Sequence, residues 1–117
     1  DLGHANQLVC HQLRACDLLV VESNHDVAML HGSHRPWSLK QRIMGRHGHL
    51  SNEASMALLA RVLHPRTRHV VLAHASQECN TYDLVAACAA KCLGNLGRHD
   101  IQPVVARQDS ISPTLWL

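Results

Sequence analysis

A chain of 117 residues, 46% of them hydrophobic, carries enough material for a single core and little more. Its formal net charge of +2 is too small to form the basic footprint of a protein that holds nucleic acid by charge alone, although 11 histidines add positive charge in mild acid. No apolar run approaches the roughly 20 residues that span a bilayer. The opening Asp1-Leu2-Gly3-His4 also lacks a signal peptide's basic start and apolar core, so a soluble, unexported, cytoplasmic chain is expected.

The elements follow in order. Residues 6–15 carry Leu8, Val9 and Leu13 among polar neighbours and predict a short amphipathic helix; residues 17–22 then predict a buried strand. Residues 26–30 read as a helical turn. Pro36 stands where helix starts favour proline, ahead of a helix over 38–44 that Gly45 and Gly48 stop. Ser51 predicts the N-cap of a helix over 52–63, with Ala54, Leu58, Leu59 and Val62 on one face and Pro65 closing it. A second strand, 68–74, precedes a loop over 76–80 and a helix over 81–93, capped by Asn80 or Thr81 and ended by Gly94 and Gly97. Residues 102–108 predict a further strand, and 114–117 a terminal strand or tail. The order βαβ implies a partly parallel sheet with helices packed on it.

Five cysteines form no Cys-x-x-Cys pair and leave one unpaired under any disulfide scheme, which favours a reducing compartment. Cys88 and Cys92, four apart on one helix, are expected to act as small hydrophobes rather than metal ligands. With no phenylalanine and one tyrosine, the core must be filled mainly by Leu, Val and Ala.

Two places break the pattern of strand followed by turn. Glu22-Ser23-Asn24-His25-Asp26 sets five polar residues directly behind an apolar strand, where a simple reversal recruits Gly or Pro. The run Val70-Val71-Leu72-Ala73 ends on His74, followed by the small Ala75 and Ser76. Parallel sheets build their sites along the carboxyl edge, so Glu22 and His74 can face one cleft, with His49 reaching it from a helix N-terminus. His47-Gly48-His49 proves nothing by itself, because about one His-x-His is expected by accident at this histidine content. His11, His31, His34, His64, His69 and His99 read as solvated positions.

Four ordered segments, residues 18–26, Pro36-Trp37-Ser38-Leu39-Lys40-Gln41-Arg42-Ile43, Arg46-His47-Gly48-His49-Leu50-Ser51-Asn52 and His69-Val70-Val71-Leu72-Ala73-His74, resemble the metallo-β-lactamase-fold hydrolases. More narrowly they resemble the exonuclease-like branch found with bacterial cell-wall regulatory operons. The resemblance implies a two-metal phosphodiesterase or nuclease in an αββα sandwich. It places the metal-bridging Asp of an Asp-x-Gly on Asp1 and a strand-end metal ligand on His74. A bridging carboxylate holds two cations, zinc or manganese, close enough to share a hydroxide nucleophile. By similarity to the related transfer-RNA-processing nucleases, His49 contacts the scissile phosphate or protonates the leaving oxygen, with Glu22 orienting it. His25 and His47 are implied as braces for the loops. Lys40, Arg42 and Arg46 suit either a phosphate backbone or a solvated helix face.

The family's His-x-His-x-Asp-His and its later single histidine are absent from this chain and would belong upstream of Asp1. The expectation is therefore residues 1–117 as the C-terminal half of an α/β, αββα-type sandwich with a mixed sheet, holding an incomplete two-metal site and inactive in isolation. A sheet face left uncovered favours association with the missing N-terminal half or with another copy. The expected substrate is nucleic acid or, as the alternative, a small cyclic phosphodiester. The rival readings are a non-catalytic α/β module that binds a partner through its uncovered face, and a free-standing histidine-rich metal-binding protein.

Overall fold

The computed structural model describes residues 2–117, so Asp1 lies outside the described residues. Eight elements follow the order α1 (Gln7–Leu13), β1 (Leu18–Glu22), α2 (Val27–Gly32), α3 (Trp37–Met44), α4 (Asn52–Val62), β2 (His69–Ala73), α5 (Tyr82–Asn95) and β3 (Val104–Val105). The three strands form one parallel sheet in the order β1-β2-β3. Among the described strands no antiparallel partner supplies the mixed character expected.

One face of the sheet is covered. Leu19 and Val21 of β1 lie beside Val70 and Leu72 of β2, and these pack against Cys10 from α1, Leu58, Leu59 and Val62 from α4, and Val85, Ala89 and Leu93 from α5. Because side chains alternate across a strand, Leu18, Val20 and Glu22 point to the other face with their register partners His69, Val71 and Ala73. There Val20 is 59% exposed, which makes this the uncovered face. The architecture is α/β, compatible with part of an αββα sandwich. A satellite core of Leu30, Ile43 and Cys79, with Met29 against it, ties α2 and α3 to the loop before α5.

The caps explain the boundaries. Asn6, Asp26, Ser51 and Thr81 each accept a hydrogen bond from the backbone N–H three residues on, satisfying an orphan donor of the first turn. Pro36 precedes the first residue of α3 and offers no side-chain cap. Two boundaries differ from those expected. The last helix continues through Gly94 to Asn95, and it is Gly97, at φ +71°, that turns the chain away. β3 is only two residues long: Pro103 has no N–H to give to a ladder, and residues 114–117 form no strand.

Lys40 departs furthest from expectation. It is not on a solvated helix face or free for phosphate; its Nζ donates to the carbonyls of His31 and Ser33 at 2.6 and 2.8 Å, and the residue is buried. A lysine from α3 thereby satisfies a carbonyl in the last turn of α2 and another just beyond it. No helix among the described residues is long and apolar enough to cross a membrane.

Candidate active site

The polar run behind β1 is not a turn. Ser23 N donates to Ala73 O at 3.0 Å and prolongs the parallel ladder by one bond. Asn24 N then donates to Leu50 O, Asn52 N to His25 O, Ser76 N to Asn24 O and Asp26 N to Cys79 O, all within 2.9 Å. Residues 22–26 are thus an extended rib held between the segment entering α4 and the loop after β2. Backbone bonds fix both neighbours to it, which is why no Gly or Pro reverses the chain here.

Side chains lock the same joint from inside. Asn52 and Asn80 exchange carboxamide hydrogen bonds at 3.0 and 2.9 Å, the Ser23 hydroxyl donates to Asn52 Oδ1 at 2.7 Å, and all three residues are buried. Such a network has value only when complete, since each orphaned group in a dry interior costs its full desolvation.

On the open edge of this rib sits Glu22. Its Oε1 accepts from His49 Nδ1 and from His74 Nδ1, each at 2.7 Å, and its Oε2 accepts from the Leu50 N–H at 3.2 Å. The two imidazoles meet edge to face with ring centroids 5.1 Å apart. One carboxylate oxygen therefore sets the orientation of two adjacent histidines. Partial burial pushes the Glu22 carboxyl up, but the hydrogen bonds from His74, the Leu50 amide and His49 outweigh it and hold the group below its usual range.

His74 adopts φ +59°, in the left-handed region, immediately after the last residue of β2. Asn24 Nδ2 grips its carbonyl at 2.9 Å. A non-glycine residue kept in this region needs its surroundings to over-determine it, and here the grip on its carbonyl and the Glu22 bond to its ring do so. The geometry turns the imidazole across the strand end toward Glu22 rather than along the strand.

The sequence-derived candidates Glu22, His49 and His74 thus converge, and their ligand atoms lie within 4.8 Å of one another. Asp1 lies outside the described residues. Of the secondary candidates, His25 is a brace: buried and bridged to Ser51, its Nδ1 lies 3.3 Å from Asn24 Oδ1. Burial depresses its pKa against the upward pull of the Glu53 carboxylate. His47 is exposed instead, on the wall of a cavity of about 460 Å³ that also takes in His49, His74, Arg35 and Arg42. Two contributors escaped the sequence. Asn24 lay in the flagged polar run but carried no role, and Arg35, paired with Glu78 at 3.0 Å, had no spacing signal at all.

At the carboxyl edge of a parallel α/β sheet, where such sheets build their ligand sites, one carboxylate holds two imidazoles. Comparison with known proteins goes further. The chain is 34% identical over 97 residues to the exodeoxyribonuclease YycJ of Bacillus anthracis, a match covering 83% of this chain and 37% of that protein. It is 37% identical over 84 residues to the exodeoxyribonuclease WalJ of Streptococcus pneumoniae, covering 72% of this chain and 31% of that protein. The chain is homologous to a part of these YycJ and WalJ exonucleases and spans well under half of their length. No family model matches the chain, and no solved structure matches it.

Proposed function

We propose that the chain is the C-terminal part of a metallo-β-lactamase-fold domain that hydrolyses phosphodiester bonds in nucleic acid with two divalent cations, zinc or manganese. The observation that carries the reading is the sharing of Glu22 Oε1 by His49 and His74 at 2.7 Å. The relatives' names, exodeoxyribonuclease, give the substrate class.

The residues present suit a metal. Imidazole and carboxylate are donors for zinc and manganese. A metal-binding histidine commonly gives its other ring N–H to a carboxylate, and His74 does this with Nδ1, which leaves Nε2 on the ring edge away from Glu22. In this reading His74 and Asp1 are the ligands contributed by this chain. A bound cation pair supplies a water acidic enough to ionise near neutral pH and charge to neutralise the phosphate. With only part of the ligand set, residues 1–117 alone should bind metal weakly and lack activity.

The remaining work falls to the protein's own groups. Glu22 accepts the Nδ1 proton of His49 and so fixes the ring on the cavity wall, where it would contact the scissile phosphate or protonate the departing oxygen. The Leu50 amide keeps Glu22 itself from rotating. The cavity wall adds cationic Arg42 and Arg35 for the flanking phosphate charge.

The test uses a longer polypeptide in which this segment follows its natural upstream sequence, assayed on end-labelled single- and double-stranded DNA with zinc or manganese. His49→Ala should lower cleavage by roughly 10²- to 10⁴-fold with metal content retained, whereas His74→Ala should lower metal content as well. Full activity in His49→Ala would overturn its role. A longer protein that neither takes up metal nor cleaves DNA would leave the partner-binding module as the reading.

A further inference from the structure

The small net charge conceals a segregation. Residues 27–52 hold four of the 11 Lys/Arg and four of the 11 histidines but none of the nine Asp/Glu; the rest of the chain, with seven Lys/Arg against nine acids, is net negative. That stretch is α2, α3 and the connection that carries His47 and His49 to α4. Its lysine faces inward: Lys40 Nζ on the carbonyls of His31 and Ser33 clamps α3 to the end of α2, and Ile43 seats the helix on Leu30 and Cys79. The arginines are left on the surface of this braced arm. Arg42 and Arg46 are exposed and pair with no carboxylate among the described residues, and the adjoining His47 is exposed as well. The arm also walls the reaction cavity. Arg35, Arg42 and His47 line it with His49 and His74, and among the described residues the one acid on that lining is Glu78, already paired to Arg35 at 3.0 Å.

Surface charges are screened within about 8 Å at physiological ionic strength. An approaching ligand therefore meets the local sign of the arm and not the net charge of +2. A strip of cations free of acids, opening into a site for phosphodiester cleavage, complements a polyanion whose charge continues past the scissile bond. A small phosphodiester would be served by the cavity wall alone, whereas Arg46 lies outside that lining and meets a ligand only if it extends beyond the cavity. We propose that the arm formed by α2, α3 and the following connection is the docking surface for the DNA backbone flanking the scissile linkage, with Arg42 at the cavity and Arg46 beyond it neutralising phosphates. Such contacts read charge rather than bases, so they fix the position of the strand without a sequence preference. This inference rests on the phosphodiesterase reading for its substrate.

The test measures binding of a labelled DNA duplex to the longer polypeptide with its metal bound, over a range of salt concentrations. Phosphorothioate linkages at the duplex ends keep the charge and resist cleavage during the measurement. The slope of log affinity against log salt counts the phosphates that the protein neutralises. Arg42→Gln and Arg46→Gln should each flatten that slope by roughly 0.9, alike on two duplexes of unrelated sequence, while Arg42→Lys and Arg46→Lys, which keep the charge, should retain it. Arg68 supplies the control. It is exposed just ahead of β2, at the edge of the sheet opposite the site, a five-residue strand away, or about 16 Å. Arg68→Gln removes the same charge and should leave the slope unchanged. A wild-type slope in either Arg42→Gln or Arg46→Gln, a flattened slope in the lysine variants, an equal flattening in Arg68→Gln, or a loss confined to one sequence would each overturn the docking surface. All three arginines are exposed, which keeps folding out of the comparison, and unchanged thermal midpoints check this. Failure of the underlying reading has a separate signature: wild-type protein that leaves an unmodified duplex uncut with zinc or manganese, whatever its salt slope.

Discussion

His74 combines a strained backbone with a directed side chain, and the two are separable by substitution. At φ +59° any L-residue with a Cβ carries a penalty of about 1–2 kcal/mol that glycine avoids. Both His74→Ala and His74→Gly lose the bond to Glu22, so their difference isolates the backbone. Urea denaturation should find the glycine variant more stable than the alanine variant by about 1 kcal/mol; the reverse order would mean that the residue does not hold this conformation. Gly48 meets a different constraint, since a Cβ there would collide with the Ile43 carbonyl one residue before the catalytic candidate His49. Gly48→Ala should destabilise by about 1–3 kcal/mol, as overpacking does, and displace the His49 ring. A Cβ on Gly3, the glycine of Asp1-Leu2-Gly3, would collide in the same way with the Gly45 carbonyl, so the start of the described chain is seated against the same loop. His25 gives a pH dependence. Burial holds its folded pKa below the ordinary 6.5 against the upward pull of Glu53, with His49 lowering it further and Glu22 and Asp26 raising it. The unfolded chain therefore binds the proton first, so the stability from keeping His25 neutral is complete above 6.5 and is lost as pH falls through the depressed folded value. Urea midpoints compared above and below 6.5 should fall in acid, and by less in His25→Asn.

At the scale of elements, the joint between β1, α4 and the loop before α5 decides whether the site exists. Asn52→Ala would remove both carboxamide bonds to Asn80, which keeps only Ser23 O and Thr81 N as partners, and would orphan the Ser23 hydroxyl in a buried setting, at a cost of about 1–3 kcal/mol. A loss below half of that, by chemical denaturation, would mean that water replaces the network. Much of this region was legible in the sequence. The helix cap at Ser51, the apolar stripe of α4 and the strands' unalternating aliphatics are local signals, and the polar run at residues 22–26 was recognisable as something other than a turn. The reciprocal pairing of Asn52 with Asn80 was not, because a carboxamide's partner is set by tertiary approach rather than by spacing. Lys40 was misread for a similar reason: its burial depends on where α2 ends, which the residues around Lys40 do not encode. Gly94 was read as a stop, yet a helical glycine costs only about 1 kcal/mol, and Leu93 anchored in the core holds that turn.

For the molecule as a whole, the sheet explains the position of the site and leaves one face open. Helices α1, α4 and α5 contribute to one core against one face, while the other carries exposed Val20 beside Leu18 and Val71. Residues 1–117 prepared alone should associate with rising concentration in sedimentation velocity, and a polypeptide with its natural upstream sequence should not; a monodisperse segment at all concentrations would count against an uncovered apolar face. The convergence of three candidates at one sheet edge was predictable because parallel strands end together, whereas the sharing of a single carboxylate oxygen was not. That sharing is the central claim. The most direct measurement is the DNA cleavage rate of the longer polypeptide with Glu22→Gln, on single- and double-stranded substrate under saturating manganese. Losing the carboxylate that orients both imidazoles should reduce the rate by roughly 10- to 100-fold or more, as loss of a ligand-orienting partner does, while the fold survives an isosteric change. Cleavage at the wild-type rate would contradict the account, because Glu22 would then be a structural carboxylate and not the hinge of the site.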